Sequence, residues 1–344
     1  MSDRSDLLAA LEMPRLARLA PNLFAACFPL MKLLPARYML DRAQADGRLR
    51  PHGSIAETTS GTFGLALAML AAMRGFTLTL VSAESLIDER LRRRLGDLGA
   101  TIQIVDDPEG SGAQRERLGR LQTILNERYE TFWPRQYDNP DNQLAYGRLA
   151  EWITRNIGSI DCLVGCVGSG GSLCGTGTFL RDVFSGLFLI AVDTQHSVLF
   201  GQRAGRRLLR GLGNSILPRN LEHQMIDEVH WVGALPAFAF TRKLHRENAL
   251  FMGPTSGAAA LVAHWYARNY PDAVTVVILP DEGFRYQDTV FNDDWLAGVD
   301  GWPLADVNGP VTLSRIESAG EEFWSRMSWQ RRSLAAVPNA DVGA

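Results

Sequence analysis

Short apolar, β-branched runs alternate with longer stretches of helical periodicity, and small polar residues stand at most of the crossings between them. "SIAET" (54–58) leads into "TFGLALAMLAAMRG", which ends at Gly75; "FTLTLVSA", the charged helical stretch "LIDERLRRRLGDLG" and "ATIQIVDD" follow. A helix between two strands returns the chain to the same end of a sheet, so such strands lie parallel. After "QRERLGRLQTILNERY", a second series runs through "LAYGRLAEWITRNIG", "DCLVGCVG", "SLCGTGTFLRDVF" and "LFLIAVD", then "ALPAFAFTRKLHREN", "GAAALVAHWYARNYP" and "AVTVVILP". This pattern predicts an α/β protein whose parallel sheets are covered by helices. At 344 residues the chain is too long for one small core and suits two lobes. From residue 301 onward the turn-rich text reads as a loosely attached tail.

Composition excludes several function classes. The formal net charge is −3, with 46% hydrophobic and 21% charged residues, so nothing draws the chain to nucleic acid or an anionic membrane. The N-terminus lacks a cleavable apolar leader, and no run of about 18 apolar residues occurs, which predicts a cytoplasmic protein. Three of the four cysteines (Cys162, Cys166 and Cys174, beside the distant Cys27) lie close together, but in an apolar run without a CxxC pair or a nearby histidine. They read as small buried hydrophobes, and no metal site is expected. Arg203, Arg206, Arg207 and Arg210 read first as a solvated face, with contact to an acidic co-substrate as the other reading.

Of the 35 basic residues only Lys32 and Lys243 are lysine, and Lys32 sits in "CFPLMKLLPARYML" among leucines. Either its stem lies along apolar surface with the head in water, or desolvation lowers its basicity and fits it for Schiff-base chemistry. Four loops stand where chemistry is usually found. "VGSGGSLCG" presents Gly168, Ser169, Gly170, Gly171 and Ser172 at the start of a helix, as a phosphate cup or a plain tight turn. "AETTSGTFG" offers Thr59, Ser60, Gly61 and Thr62 to a carboxylate, or simply caps its helix. "PRQYDNPDN" carries Gln136, and "MGPTSGAAA" carries Thr255 and Ser256. A rival reading takes the glycine loop with Asp193 as a dinucleotide site of an NAD-dependent dehydrogenase. Leu173 stands where that fingerprint wants its third glycine.

In order, these segments resemble the cysteine synthase family, pyridoxal 5'-phosphate enzymes of the tryptophan-synthase β fold (fold type II), over about residues 30 to 296. Within that family the chain is most similar to the synthases that join an activated serine to glutamate's amine on the way to diaminopropionate. "MKLLPARYML" matches the segment of the Schiff-base lysine, which implies Lys32 as the catalytic residue. "TTSGTFG" matches the carboxylate loop, implying Thr59, Ser60, Gly61 and Thr62 for substrate, with Gln136 from "RQYDNP". "VGSGGS" matches the phosphate cup, Gly168 to Ser172, and "GPTSGA" places Thr255 at the pyridine nitrogen. Thr62 stands where the family has an asparagine that contacts the cofactor, and Phe63 replaces a threonine. Leu30, Leu33 and Leu34 replace Ser, Asp and Arg around the lysine.

The resemblance implies a large cofactor-binding lobe from 1–35 with 141–300, a small mobile lobe over 36–140 and a tail over 301–344. It also implies a homodimer. The implied reaction is β-replacement on O-acetylserine or O-phosphoserine through an aminoacrylate, with sulfide or an amino-acid amine as nucleophile. A β-eliminating lyase such as a cysteine desulfhydrase, and a catalytically weak relative that only binds a ligand or partner, are the alternatives on the same fold.

Overall fold

The computed structural model of the protein describes residues 7–209, 211–304, 308–320 and 323–338. In chain order the first elements are α1 (Ala9–Glu12), β1 (Arg15–Ala20), β2 (Leu23–Cys27), α2 (Leu33–Ala45), β3 (Ser54–Thr58), α3 (Thr62–Arg74), β4 (Thr77–Ala83), α4 (Glu89–Asp97), β5 (Ala100–Val105), α5 (Gln114–Glu127) and β6 (Thr131–Phe132). The chain continues through α6 (Asp141–Leu144), α7 (Gly147–Asn156), β7 (Cys162–Cys166), α8 (Gly171–Val183), β8 (Phe188–Asp193), β9 (Glu228–Val232), α9 (Ala234–Asn248), α10 (Pro254–Asn269), β10 (Thr275–Leu279), α11 (Asp293–Ala297), β11 (Val311–Thr312) and β12 (Trp324–Ser328).

Two sheets result. The smaller, ordered β5-β4-β3-β6, is parallel throughout. The larger runs β1-β2-β10-β7-β8-β9-β12-β11; its centre, β2 to β9, is parallel, and antiparallel pairs β1–β2 and β9–β12 flank it. Strand periodicity explains why both faces of the large sheet are covered. In β7 and β10, Leu163, Val276 and Ile278 join one core, while Cys162, Val164, Val277 and Leu279 join the other. Apolar side chains on both faces are the mark of a parallel sheet sandwiched between helices. The small lobe has its own core, built from Leu33, Met39 and Leu40 of α2, the apolar face of α3, and Leu78 and Leu80 of β4.

One expectation is corrected here. The region from residue 301 was expected to hang loosely, yet β12 pairs with β9 from Trp324↔Val232 to Ser328↔Glu228, and Trp324 and Trp329 are buried. Polar residues in "WSRMS" and "EVHWV" hide both strands from an apolar pattern. In the structure they are paired inside: His230 accepts from Trp324 Nε1 at Nδ1 (3.0 Å) and donates from Nε2 to Glu228 (2.7 Å). Arg326 donates to the same carboxylate at 3.0 Å. Cys27, Cys162 and Cys174 are buried free thiols, and Cys166 is half-buried. No helix among the described residues is long and apolar enough to cross a membrane.

Candidate active site

The C-terminal ends of β2, β10 and β7 share one edge of the large sheet, where open α/β sheets bind ligands. Past β2 the chain stays on that edge, because Phe28 N donates to Leu279 O and Met31 N to Pro280 O, both at 2.9 Å. This holds Lys32 at the start of α2, pointing into a cleft between the lobes. Its neighbours Leu30, Met31, Leu33 and Leu34 are buried, so water is displaced around it. Desolvation pulls the Lys32 pKa from 10.5 down to about 8, which leaves a useful fraction of free amine near neutrality. Lys32 Nζ donates to Ser169 Oγ across 3.5 Å.

Ser169 belongs to the turn from β7 into α8. Gly170, the residue before α8, has φ +82°, and a methyl on it would overlap the Asn220 carbonyl; only glycine fits there. The first N–H groups of α8 open toward the cleft with the positive end of the helix dipole behind them. Gly168, Ser169 and Ser172 line the cleft, whereas Gly170 and Gly171 form the back of the turn, Gly171 against Asn142. Asn142 also donates to Ser169 Oγ at 3.3 Å and fixes that hydroxyl. Thr255, at the start of α10, lines the same cleft next to Cys166, whose thiol donates to the Thr255 carbonyl at 3.2 Å.

The opposite wall comes from the small lobe. Ser60, Thr62 and Phe63 line it at the N-terminus of α3, and Gln136 lines it from the loop after β6. Thr59 does not face the cleft: it is fully buried, and its Oγ1 accepts from Gly61 N and Gly64 N, each at 2.9 Å. Both bonds hold the loop. Gly61, with φ +135°, is covered by Arg285. Beneath the loop lies Glu57, also buried. Its Oε1 accepts from Thr58 N (2.8 Å) and Trp133 Nε1 (3.0 Å), and its Oε2 from Gln136 N (3.1 Å). Burial raises its pKa to about 7 against those three bonds.

Several cleft residues were not foreseen. Arg117 on α5 is buried, donating to Gly112 O (2.8 Å) and to Gln114; its Nη1 is buried without a hydrogen-bond partner. Desolvation lowers its pKa, partly offset by Tyr137 beside it in the cleft wall. Arg207, expected first on a solvated face, instead lines the cleft and donates to Ser111 O (2.5 Å) and His196 O (2.8 Å). Arg203 and Arg206 are exposed, and Arg210 lies outside the described residues. The only local signal for Glu57 is an acid inside an apolar strand; Arg117 has none, since "QRERLGR" reads as a solvated helix. Asp193, the acid of the dinucleotide reading, is completely buried behind the Gly213 turn.

A family described as pyridoxal-phosphate dependent enzyme matches residues 31–281. An N-(2-amino-2-carboxyethyl)-L-glutamate synthase of Cupriavidus metallidurans is 33% identical over 272 residues, covering 77% of this chain and 80% of that one. The protein of the same name from Ralstonia nicotianae is 32% identical over 307 residues, 86% of this chain and 90% of the other. Among solved structures, the O-acetylserine dependent cystathionine beta-synthase from Helicobacter pylori superposes with a TM-score of 0.76 at 26% identity, over 84% of this chain and 99% of that one.

Proposed function

The chain belongs to the pyridoxal-phosphate dependent enzyme family, and from that premise we propose that it replaces the β-substituent of an activated serine with the amine of an acidic amino acid. The donor set of the cleft fits the cofactor. A desolvated amine, a glycine turn at a helix N-terminus and a hydroxyl residue surround one space. In this reading Lys32 Nζ holds the cofactor's aldehyde, the turn from Gly168 to Ser172 takes the phosphate, and Thr255 faces the ring nitrogen. Bound there, pyridoxal phosphate withdraws electrons from the substrate's Cα and acidifies its proton.

The protein does the rest. Ser60, Thr62 and the first N–H groups of α3 receive the serine carboxylate together with Gln136. The substrate's amine displaces Lys32 from the aldehyde, and the amine so freed takes the Cα proton. The Cβ–O bond breaks, acetate or phosphate leaves, a Cβ–N bond forms as the incoming amine gives up a proton, and Lys32 returns a proton to Cα. One observation carries the choice of nucleophile: the cleft wall holds Arg117, with an unpartnered buried N–H, and Arg207. Sulfide has no use for two guanidinium groups, whereas a dicarboxylic amino acid pairs with them. The names of the two synthases above support the same class of nucleophile.

Incubating the holoenzyme with O-phosphoserine or O-acetylserine, and with glutamate or sulfide in parallel, tests this by mass spectrometry. A glutamate adduct of the serine skeleton is expected. Cysteine formed from sulfide with no glutamate adduct overturns the choice of nucleophile, and pyruvate release without any adduct favours a lyase.

A further inference from the structure

Two small-lobe segments meet one large-lobe side chain at the mouth of the cleft. Arg285 sits in the 3-10 turn Gly283–Tyr286 that follows β10. Its Nη2 donates to the Ser60 carbonyl (3.2 Å) and to the Leu86 carbonyl (3.0 Å). The guanidinium also covers the Cα of Gly61, where a methyl group would collide with it. The Asp88 carboxylate stands 4.0 Å away, so the closest partners of this guanidinium are the two neutral carbonyls. Nearby, Arg90 and Asp288 also link the lobes at 2.5 Å, but both are exposed and such a pair holds little.

The peptide between Ser60 and Gly61 is therefore fixed at both ends. Arg285 takes its carbonyl, and Thr59 Oγ1 takes its N–H at 2.9 Å. A planar peptide held at both its oxygen and its nitrogen cannot rotate. Its orientation decides where the Ser60 side chain and the N-terminus of α3 point.

We propose that Arg285 is a positioning residue, which reaches across from the large lobe and locks the Ser60–Thr62 loop in its substrate-receiving arrangement. The proposal rests on the reading above, in which that loop takes the serine carboxylate. It gives the turn after β10 a second task beyond closing the sheet: it makes the small lobe's grip depend on the lobes being together.

Arg285→Ala and Arg285→Lys holoenzymes test it, with three readouts: KM and kcat for the serine ester, the visible cofactor spectrum, and amide hydrogen exchange over 59–64 and 86–88 without substrate. Removing hydrogen bonds from a charged donor should raise KM roughly 10- to 100-fold in Arg285→Ala. Meanwhile kcat falls less, the spectrum is unchanged, and both segments exchange faster. Arg285→Lys should recover part of the loss, because an ammonium still reaches one carbonyl. Unchanged KM, or unchanged exchange in both segments, overturns the proposal. A wild-type protein that accepts no O-substituted serine sinks the reading of the site instead, and the exchange comparison still decides whether Arg285 holds the loop.

Discussion

The amine of Lys32 stands 3.5 Å from the hydroxyl of Ser169, across 137 residues of chain. The sheet order brings them together, since β10 lies between β2, which leads to Lys32, and β7, which leads to Ser169. An ammonium desolvated at this spot is a cost that the fold accepts for the sake of a free amine.

Lys32→Met should therefore stabilise the cofactor-free protein at pH 7 while abolishing borohydride trapping of pyridoxal phosphate. In the folded protein the wild-type lysine has a pKa of about 8, against the ordinary 10.5. Between those values the unfolded chain binds more protons, so apoprotein stability rises with pH across that window by about 3 kcal/mol at most. Urea unfolding of both apoproteins at pH 7 and pH 10 checks this. A variant that is less stable at pH 7, or that still traps the cofactor, contradicts the assignment.

Glu57→Gln should weaken substrate binding more than cofactor binding. Whichever way the new amide turns, its NH2 faces a donor, either Gln136 N or the pair Thr58 N and Trp133 Nε1. That conflict costs about 1–3 kcal/mol, read as a raised KM for the serine ester at unchanged cofactor affinity. Its pH signature is opposite in sign to that of an ordinary paired carboxylate. With the folded pKa raised to about 7 from 4.5, the folded state binds more protons between those values. The Glu57 contribution to stability thus declines as pH rises through that window and is level above it. Denaturant titrations from pH 4.5 to 7 should show the slope in wild type and lose it in the variant.

His223→Phe should make the protein more resistant to acid. The ring is buried between Phe200 (5.3 Å) and Trp329 (5.6 Å), and neither ring nitrogen has a hydrogen-bond partner. Burial holds its pKa down at about 4 from 6.5. Below pH 6.5 the unfolded chain takes up a proton that the folded one refuses, so stability present above 6.5 is lost as pH falls toward 4, by about 3 kcal/mol at most. Thermal unfolding at pH 7 and pH 4.5 should show a smaller difference for the variant; an equal difference rules out His223 as the source.

Much of this architecture is legible in the sequence because local pattern and burial agree. "DCLVGCVG" reads as a strand buried on both faces, and its alternating residues do enter two different cores. Lys32 draws notice because arginine occupies nearly every other basic position. Side chains whose roles are set by distant partners are not legible. Thr59 looks like a hydroxyl for substrate, but its side chain is fully buried and its oxygen accepts from two backbone N–H groups of its own loop. Arg117 looks solvated because its helix is rich in charge; only the fold turns it inward. β9 escapes notice because Glu228 and His230 break its apolar run, and the partners that neutralise them arrive from beyond residue 320.

The return of the chain to β9 decides how this sheet ends. β12 occupies the outer rim of β9, whose other rim β8 already holds. A chain shortened ahead of Val311 would bare that rim, leaving a file of unsatisfied amides beside an imidazole stripped of its indole partner. Such an edge recruits any extended peptide it meets, so truncation there should turn a closed sheet margin into a sticky one.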